Sequence, residues 1–307
     1  MICKAYPKIN LYLKIVAFND GYHLLESRFM RVCSNCYDEI EIVPYSYDKV
    51  IGEFGCAVEQ SSVYKALQAL RAISGVRFPP VRIEVAKHIP SGAGLGGGSA
   101  DAGCVLRALI AHYGSDFVGE GKALAEAFFA LAESGVLDSR GTSLDSSRTK
   151  EMPSSPLPYN LAMLAKSIGA DVAFFLSGAM CAEVRGVGEE IVPLELDSDD
   201  IRQFEVFTPP LFCDTKRVYS AYRAMVQNKS HSFSPRQMFA SKSNQEILSD
   251  DVSVFMLNDL FAPACAVYPQ LLEIQKELGN GWFFSGSGSS FFRPIKNIQA
   301  ESRHQGS

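Results

Sequence analysis

Five of the seven residues from 92 to 98 are glycine: Gly92, Gly94, Gly96, Gly97 and Gly98. Glycine accepts positive φ and lets backbone N–H groups approach a ligand with no Cβ in the way. The run lies inside the stretch Val81 to Leu106, where an alternating strand pattern gives way to a helix. Amides gathered at the positive end of a helix form an anion site, and the natural anion is a nucleotide phosphate. The plain alternative is a flexible connector, but connectors seldom join a patterned strand to a helix with a carboxylate, here Asp101, near its start. Gly92, Gly94 and Gly97 satisfy G-x-G-x-x-G, yet a dinucleotide fold wants a continuously apolar strand before that motif, and this one alternates. A P-loop wants Lys-Ser/Thr directly after its last glycine, where Ser99-Ala100 stands.

Other residues offer acid–base or recognition chemistry. Lys8 and Asn10 share the polar side of an alternating strand, an arrangement that is ordinarily just solvated. Tyr22 and His23 follow the turn signal Asn19-Asp20-Gly21, and such a pair can stack on and hydrogen-bond a planar base. Asp171 precedes the short apolar run Val172 to Leu176; a single carboxylate there reads first as a turn or cap residue. Cys33 and Cys36 have ligand-like spacing, but a closed zinc site needs two further ligands and a redox pair normally opens a helix. The loop Ser285 to Ser289 reads as a simple turn or as a place where two backbones pack closely.

The elements that must position these residues follow from periodicity. Ile9, Leu11, Leu13 and Ile15 form one strand face, with Lys8, Asn10, Tyr12 and Lys14 opposite. A further strand covers Asp38 to Val43, and Val81, Ile83 and Val85 mark the strand before the glycines. Helices are expected over Gln60 to Ser74, the residues after Ser99, Gly121 to Glu133, Asn160 to Ile168, Thr215 to Val226, Val254 to Phe261 and Tyr268 to Leu278. The run Val172 to Leu176 is read as a strand, Met180 to Leu194 as a hairpin and Phe204 to Thr208 as another strand. Residues 135–158 are rich in serine, proline and charge and read as a surface insertion; Ser230 to Asp250 reads as a polar connector.

Composition bounds the partners. The chain has 307 residues, 47% of them apolar, and a net charge of −5. No basic run suits a nucleic-acid backbone, and no stretch of membrane-spanning length is apolar throughout. The eight cysteines are scattered, as buried thiols in a reducing compartment are. A soluble cytoplasmic protein acting on small molecules is expected, with no membrane and no nucleic-acid partner; nothing in the sequence fixes its oligomeric state.

Several separated blocks then coincide with one family. PKINLYLKI at Pro7 to Ile15, DGYHLLES at Asp20 to Ser27, IPSGAGLGGGSADAG at Ile89 to Gly103, GADVAFF at Gly169 to Phe175 and the late FSGSGSSFF resemble the 4-diphosphocytidyl-2-C-methyl-D-erythritol kinase family. That family lies within the GHMP superfamily of galactokinase, homoserine kinase, mevalonate kinase and phosphomevalonate kinase. The resemblance implies an α+β, two-lobed GHMP kinase fold, with a ribosomal-protein-S5-like N-terminal lobe (1–168) and a ferredoxin-like C-terminal lobe (169–307). It implies ATP-dependent phosphorylation of the 2-hydroxyl of a cytidine-diphosphate-linked methylerythritol, a step of the non-mevalonate isoprenoid route. In this reading Lys87, Pro90, Ser91, Gly92, Ala93, Gly94, Leu95, Gly96, Gly97, Gly98, Ser99 and Ala100 bind ATP, and Ser99 contacts Mg²⁺ or phosphate. Asp171 matches the catalytic aspartate and Lys8 its partner lysine; Asn10, Tyr22 and His23 bind the acceptor. Two departures stand out: Ser61-Ser62 replaces an Asn-Leu pair near the adenine site, and Ala173 replaces a proline. The second aromatic of the cytosine clamp is open between Phe207 and Phe212. The rivals are another GHMP kinase acting on mevalonate, homoserine or a sugar, and a non-catalytic nucleotide-binding regulator.

Overall fold

The computed structural model describes residues 1–33, 36–131, 156–196, 200–228, 232–249 and 251–295. In chain order the elements are β1 (Ile2–Ala5), β2 (Lys8–Asn19), β3 (Tyr22–Arg31), β4 (Asp38–Pro44), β5 (Lys49–Gly52), α1 (Ser62–Arg71), β6 (Val81–Ala86), α2 (Gly97–Tyr113), α3 (Gly119–Leu131), α4 (Tyr159–Ile168), α5 (Val172–Ser177), β7 (Cys181–Gly186) and β8 (Glu190–Pro193). They continue through β9 (Phe204–Phe207), α6 (Thr215–Gln227), α7 (Asn244–Ile247), α8 (Val254–Leu257), α9 (Phe261–Val267), α10 (Gln270–Leu278), β10 (Phe283–Phe284) and β11 (Phe291–Pro294).

Among the described residues, three sheets carry the molecule. The first has the order β1-β4-β6-β5, with only the β5–β6 pair parallel. β6 buries Val81, Ile83 and Val85 and turns Glu84 outward, as its alternation requires. Val63, Leu67 and Leu70 of α1 face the same core, and the Ser61 hydroxyl caps that helix by accepting from Tyr64 N at 3.2 Å. That cap starts α1 two residues later than the periodicity suggested.

The second sheet, β2-β3-β7-β8, is antiparallel throughout. Its β2–β3 hairpin turns through Asp20 and Gly21, at φ 48° and 87°, the two positive values of a tight two-residue turn. The expected polar face of β2 is corrected by the structure. Register shifts between Asn10 and Tyr12 and between Ile15 and Ala17 reverse which side the chain presents. Lys8, Asn10 and Leu13 therefore line one cavity, while Ile9, Leu11 and Tyr12 join a separate apolar cluster. Nor is the polar set solvated: Lys8, Asn10, Tyr12 and Lys14 are all buried.

A third antiparallel sheet, β10-β11-β9, packs against C-terminal helices around Phe261, Phe284 and Phe291. Here the segment 254–261 is not one helix, because Asn258 breaks it in extended conformation and Phe261 starts the next. The connector 230–250 carries a short helix, α7, set by a capping box between Ser243 and Glu246.

A second correction concerns Val172 to Leu176, a helix rather than a strand. A short apolar run bounded by glycine fits either; here Gly178 ends it in the left-handed conformation, and all six residues of α5 are buried against α2 and α4. One apolar cluster runs from Cys3 to Ile191 and includes both α4 and α5, so the 168/169 division falls within packed core. Residues 135–155 of the 135–158 insertion lie outside the described residues. Among those described, no helix is long and apolar enough to cross a membrane.

Candidate active site

A cavity of about 610 Å³ opens where the three sheets meet, lined from β2 by Lys8 and Asn10, from β3 by Tyr22 and His23, and from the glycine stretch by residues 89–99. Asp171, Thr215, Tyr219 and Ser287 complete it from the far side.

The glycine loop is held by its carbonyls. Gly92 O accepts from Cys213 N at 3.3 Å, Ala93 O from Ser290 N at 3.0 Å, and Gly94 O from the Ser285 hydroxyl at 3.2 Å. Leu95 O accepts from Lys8 N at 3.0 Å and Gly96 O from Ala100 N at 2.8 Å. In a trans peptide the next N–H points opposite to the carbonyl, so the amides of residues 93–97 turn away from these anchors. Gly92, Gly94 and Gly96 have φ near 70°, which alternates with the ordinary values between them and curls the amides into a concave donor set. Close approach explains the glycines as well: a Cβ on Gly94 would stand 2.3 Å from Ser285 O, and one on Gly288 only 1.8 Å from Gly94 N. The Ser285–Ser289 loop is thus the second backbone packed on the first.

At the mouth of this loop, Lys8 Nζ lies 3.3 Å from Asp171 Oδ2 and donates to Asn10 Oδ1 at 2.5 Å. The same ammonium stands 4.5 Å above the Phe29 ring. Asn10 is oriented in turn by donating to Ser27 Oγ at 3.0 Å. Asp171 occupies the position before α5, yet its side chain caps no amide of that helix. Its carboxylate is 29% exposed, whereas the lysine is 4% exposed. A fixed cation thus faces a carboxylate that remains open to the cavity, an arrangement suited to taking a proton from a hydroxyl and offsetting the charge that develops.

Beyond them lie the aromatics. His23 packs at 5.0 Å on Phe18, at 5.1 Å on Tyr219 and at 5.7 Å on Tyr222. Burial and the nearby Arg223 lower its pKa. Burial, and then the Asp171 carboxylate, raise the Tyr219 hydroxyl above the ordinary tyrosine value.

Residues 61–139 match the family model described as GHMP kinases N terminal domain. A 4-diphosphocytidyl-2-C-methyl-D-erythritol kinase of Sulfurimonas denitrificans is 34% identical over 303 residues, which span 94% of this chain and 95% of that protein. The chain belongs to the 4-diphosphocytidyl-2-C-methyl-D-erythritol kinase family. A Helicobacter pylori protein of the same name is 32% identical over 309 residues, covering 97% and 95% of the two chains. A crystal structure of 4-(cytidine 5'-diphospho)-2C-methyl-D-erythritol kinase superposes with a TM-score of 0.64 at 29% identity, covering 97% of this chain and 91% of that one. A mevalonate kinase structure, at 0.53 and 10% identity, shares the fold alone.

Against the family expectation, Lys8, Asn10, Tyr22, His23, Lys87, Pro90 through Ser99 and Asp171 all line the one cavity. Ala100 does not: its side chain is buried in the core and its amide belongs to α2. Lys87 is placed otherwise than a free phosphate ligand would be, for its ammonium donates to Asp38 Oδ2 and to Asp101 Oδ2. Burial opposes that charge, but the two carboxylates outweigh it and raise the lysine pKa. Burial pushes the Asp101 carboxyl up to about 7, with Lys87 drawing it back. Asp101 lies past the first turn of α2, so its partner is Lys87 and not the helix start.

Neither Phe207 nor Phe212 lines the cavity. Phe207 meets Trp282 edge-on at 6.4 Å, and Phe212 covers the outside of the glycine loop, where a Cβ on Gly92 would strike it at 2.5 Å. Tyr219 lines the cavity instead, one turn into α6. Sequence reasoning missed it, together with Thr215 and Ser287, whose hydroxyls are 2.9 Å apart. Of the Ser61-Ser62 pair, Ser61 is committed to capping and only Ser62 reaches the cavity.

Proposed function

We propose that the chain transfers the γ-phosphoryl group of ATP to the 2-hydroxyl of 4-diphosphocytidyl-2-C-methyl-D-erythritol, in non-mevalonate isoprenoid precursor synthesis. The observation that carries this reading is the Lys8–Asp171 pair, set between the anchored glycine loop and the Tyr22, His23 and Tyr219 aromatics. The loop amides hold the ATP phosphates and aim the γ-phosphorus at the acceptor. Tyr22 and Tyr219 enclose the cytosine, His23 hydrogen-bonds it, and Asn10 orients the alcohol. The hydroxyl oxygen bonds to the γ-phosphorus as the bond to the β–γ bridging oxygen breaks, the proton passes to Asp171, and ADP leaves. Lys8 lies where charge accumulates on the reacting oxygens, so positioning and electrostatics supply the rate.

The Ser99 hydroxyl lies 3.8 Å from where a Cβ on Gly169 would stand, on the side of the cavity that Asp171 occupies. Its hard oxygen, on a residue that lines the cavity, is the donor that would hold Mg²⁺, with phosphate oxygens and water filling the rest of its shell. When bound, the ion neutralises charge on the phosphates. The packing supports an N-terminal lobe that ends after β8. All eight cysteines are free thiols, which accords with a cytoplasmic enzyme of small-molecule partners.

The test of the chemistry is Asp171→Asn, which keeps the shape and removes the proton acceptor. We expect kcat to fall by about 10²- to 10⁴-fold while the dissociation constant for ATP stays within about threefold. Undiminished turnover would remove Asp171 from the mechanism.

A further inference from the structure

Beneath the glycine loop lies a buried group of charges that the phosphoryl-transfer scheme does not use. Asp38, at the start of β4, is fully buried. Its Oδ1 accepts the backbone N–H groups of His88 and Ile89, and its Oδ2 accepts from Lys87 Nζ. The Lys87 ammonium also donates, at 2.6 Å, to Oδ2 of the fully buried Asp101 in α2. His88 and Ile89 are where the chain leaves β6 for the loop, and Asp101 sits in the second turn of the helix that receives it. One lysine ties the two ends of the loop together, and one aspartate holds its first two amides.

Electrostatics argue against a packing role alone. Three charged side chains taken out of water are costly, and apolar side chains of like volume hold such elements together at least as well. Moreover, the ammonium lies under the start of α2, 3.5 Å from where a Cβ on Gly97 would stand. That helix end repels a cation, and two carboxylates make the lysine tolerable there. Although a flank of Lys87 lines the cavity, two of its donor directions are already taken within the protein.

We infer that Asp38, Lys87 and Asp101 form a charge clamp that fixes the spacing between the two ends of the phosphate loop, so that both aspartates are positioning residues for ATP. The inference rests on the cavity being an ATP site. Asp38→Asn and Asp101→Asn keep shape and, assayed above pH 7 where Asp101 is ionised, remove charge. Each should raise KM for ATP about tenfold, leave kcat within about threefold and leave KM for the cytidyl acceptor unchanged. Because the three groups act as one unit, Asp101→Asn combined with Lys87→Met should cost ATP no more than the worse single variant.

The measurement is steady-state kinetics on the full chain with ATP and acceptor varied separately, and thermal midpoints alongside. A fall in kcat at unchanged ATP KM, equal losses toward both substrates, or strictly additive losses in the double variant would each overturn the clamp. So would a lowered midpoint with both KM values intact. Should Asp38→Asn not yield folded protein, Asp101→Asn decides alone by the same criteria. Failure of the unaltered protein to phosphorylate the acceptor would instead remove the functional reading, so the two failures are distinguishable.

Discussion

Lys8 draws its role from its neighbours. Asn10 and the Phe29 ring fix its ammonium, and Asp171 is the more open of the charged pair. The same logic makes His23 testable by pH. Burial and Arg223 hold its pKa below the usual 6.5, so at pH 7 the ring is neutral and offers one donor and one acceptor to a base edge. KM for the cytidyl acceptor should therefore show no His23 titration above pH 7 and should rise in acid, below the pH of an ordinary histidine. The stability contribution has the same sign: full above the unfolded value of 6.5, it declines as pH falls toward the folded value, because the unfolded chain takes up the proton first. A pH profile of KM checks this, with His23→Gln expected to lack the acid limb; a limb centred above pH 7 would contradict it. Residue types and spacing made Lys8, Asn10, Tyr22 and His23 legible as candidates. Asp171 read as a cap until the family pattern singled it out, since nothing local says that its side chain caps no amide. Tyr219 was illegible because an aromatic on an amphipathic helix beside Val218 and Tyr222 looks like core.

At the scale of elements, the loop depends on its partner more than on its own sequence. Residues 92–94 are anchored by the segments around Cys213 and Ser285–Ser290, and Gly288 lets the backbones touch. Gly288→Ala would drive a Cβ into Gly94 N and Ala93 C. We expect a loss of about 3 kcal/mol, at the upper end of overpacking costs, together with a raised KM for ATP. Gly279→Ala is the control: nothing stands within 4 Å of the new Cβ, but φ 78° with ψ −166° is a conformation nearly confined to glycine, so about 3 kcal/mol of backbone strain is expected with ATP KM unchanged. Urea midpoints and ATP kinetics check both, and an equal rise in ATP KM at the two positions would contradict the packing argument. The strand before the glycines and most helices were readable from periodicity, whereas the β2 register shift was not. A bulge is one residue of pairing, visible only against the partner strand, and it decides that Tyr12 points away from Lys8. The helix α5 was misread because six buried residues carry no period.

At the scale of the whole molecule, the cavity joins residues 8, 23, 94, 171, 219 and 287, which no local pattern brings together. β2 makes that possible: buried on both sides, it serves the loop through Lys8 and Asn10 and the C-terminal core through Leu13 and Ile15. The first apolar cluster extends to Ile191 for the same reason, since β3 pairs with β7 and places Asp171 just ahead of the returning strand. The central claim is that this one cavity brings the γ-phosphate of ATP to the 2-hydroxyl of the cytidyl acceptor. The most direct measurement is phosphorus NMR of the unaltered protein with Mg²⁺, ATP and 4-diphosphocytidyl-2-C-methyl-D-erythritol, beside parallel reactions with mevalonate and homoserine. The account predicts stoichiometric ADP and a new phosphomonoester on the 2-position of the cytidyl compound only. A phosphomonoester on mevalonate or homoserine with the cytidyl compound left intact, or ADP formed with free phosphate alone, would contradict it.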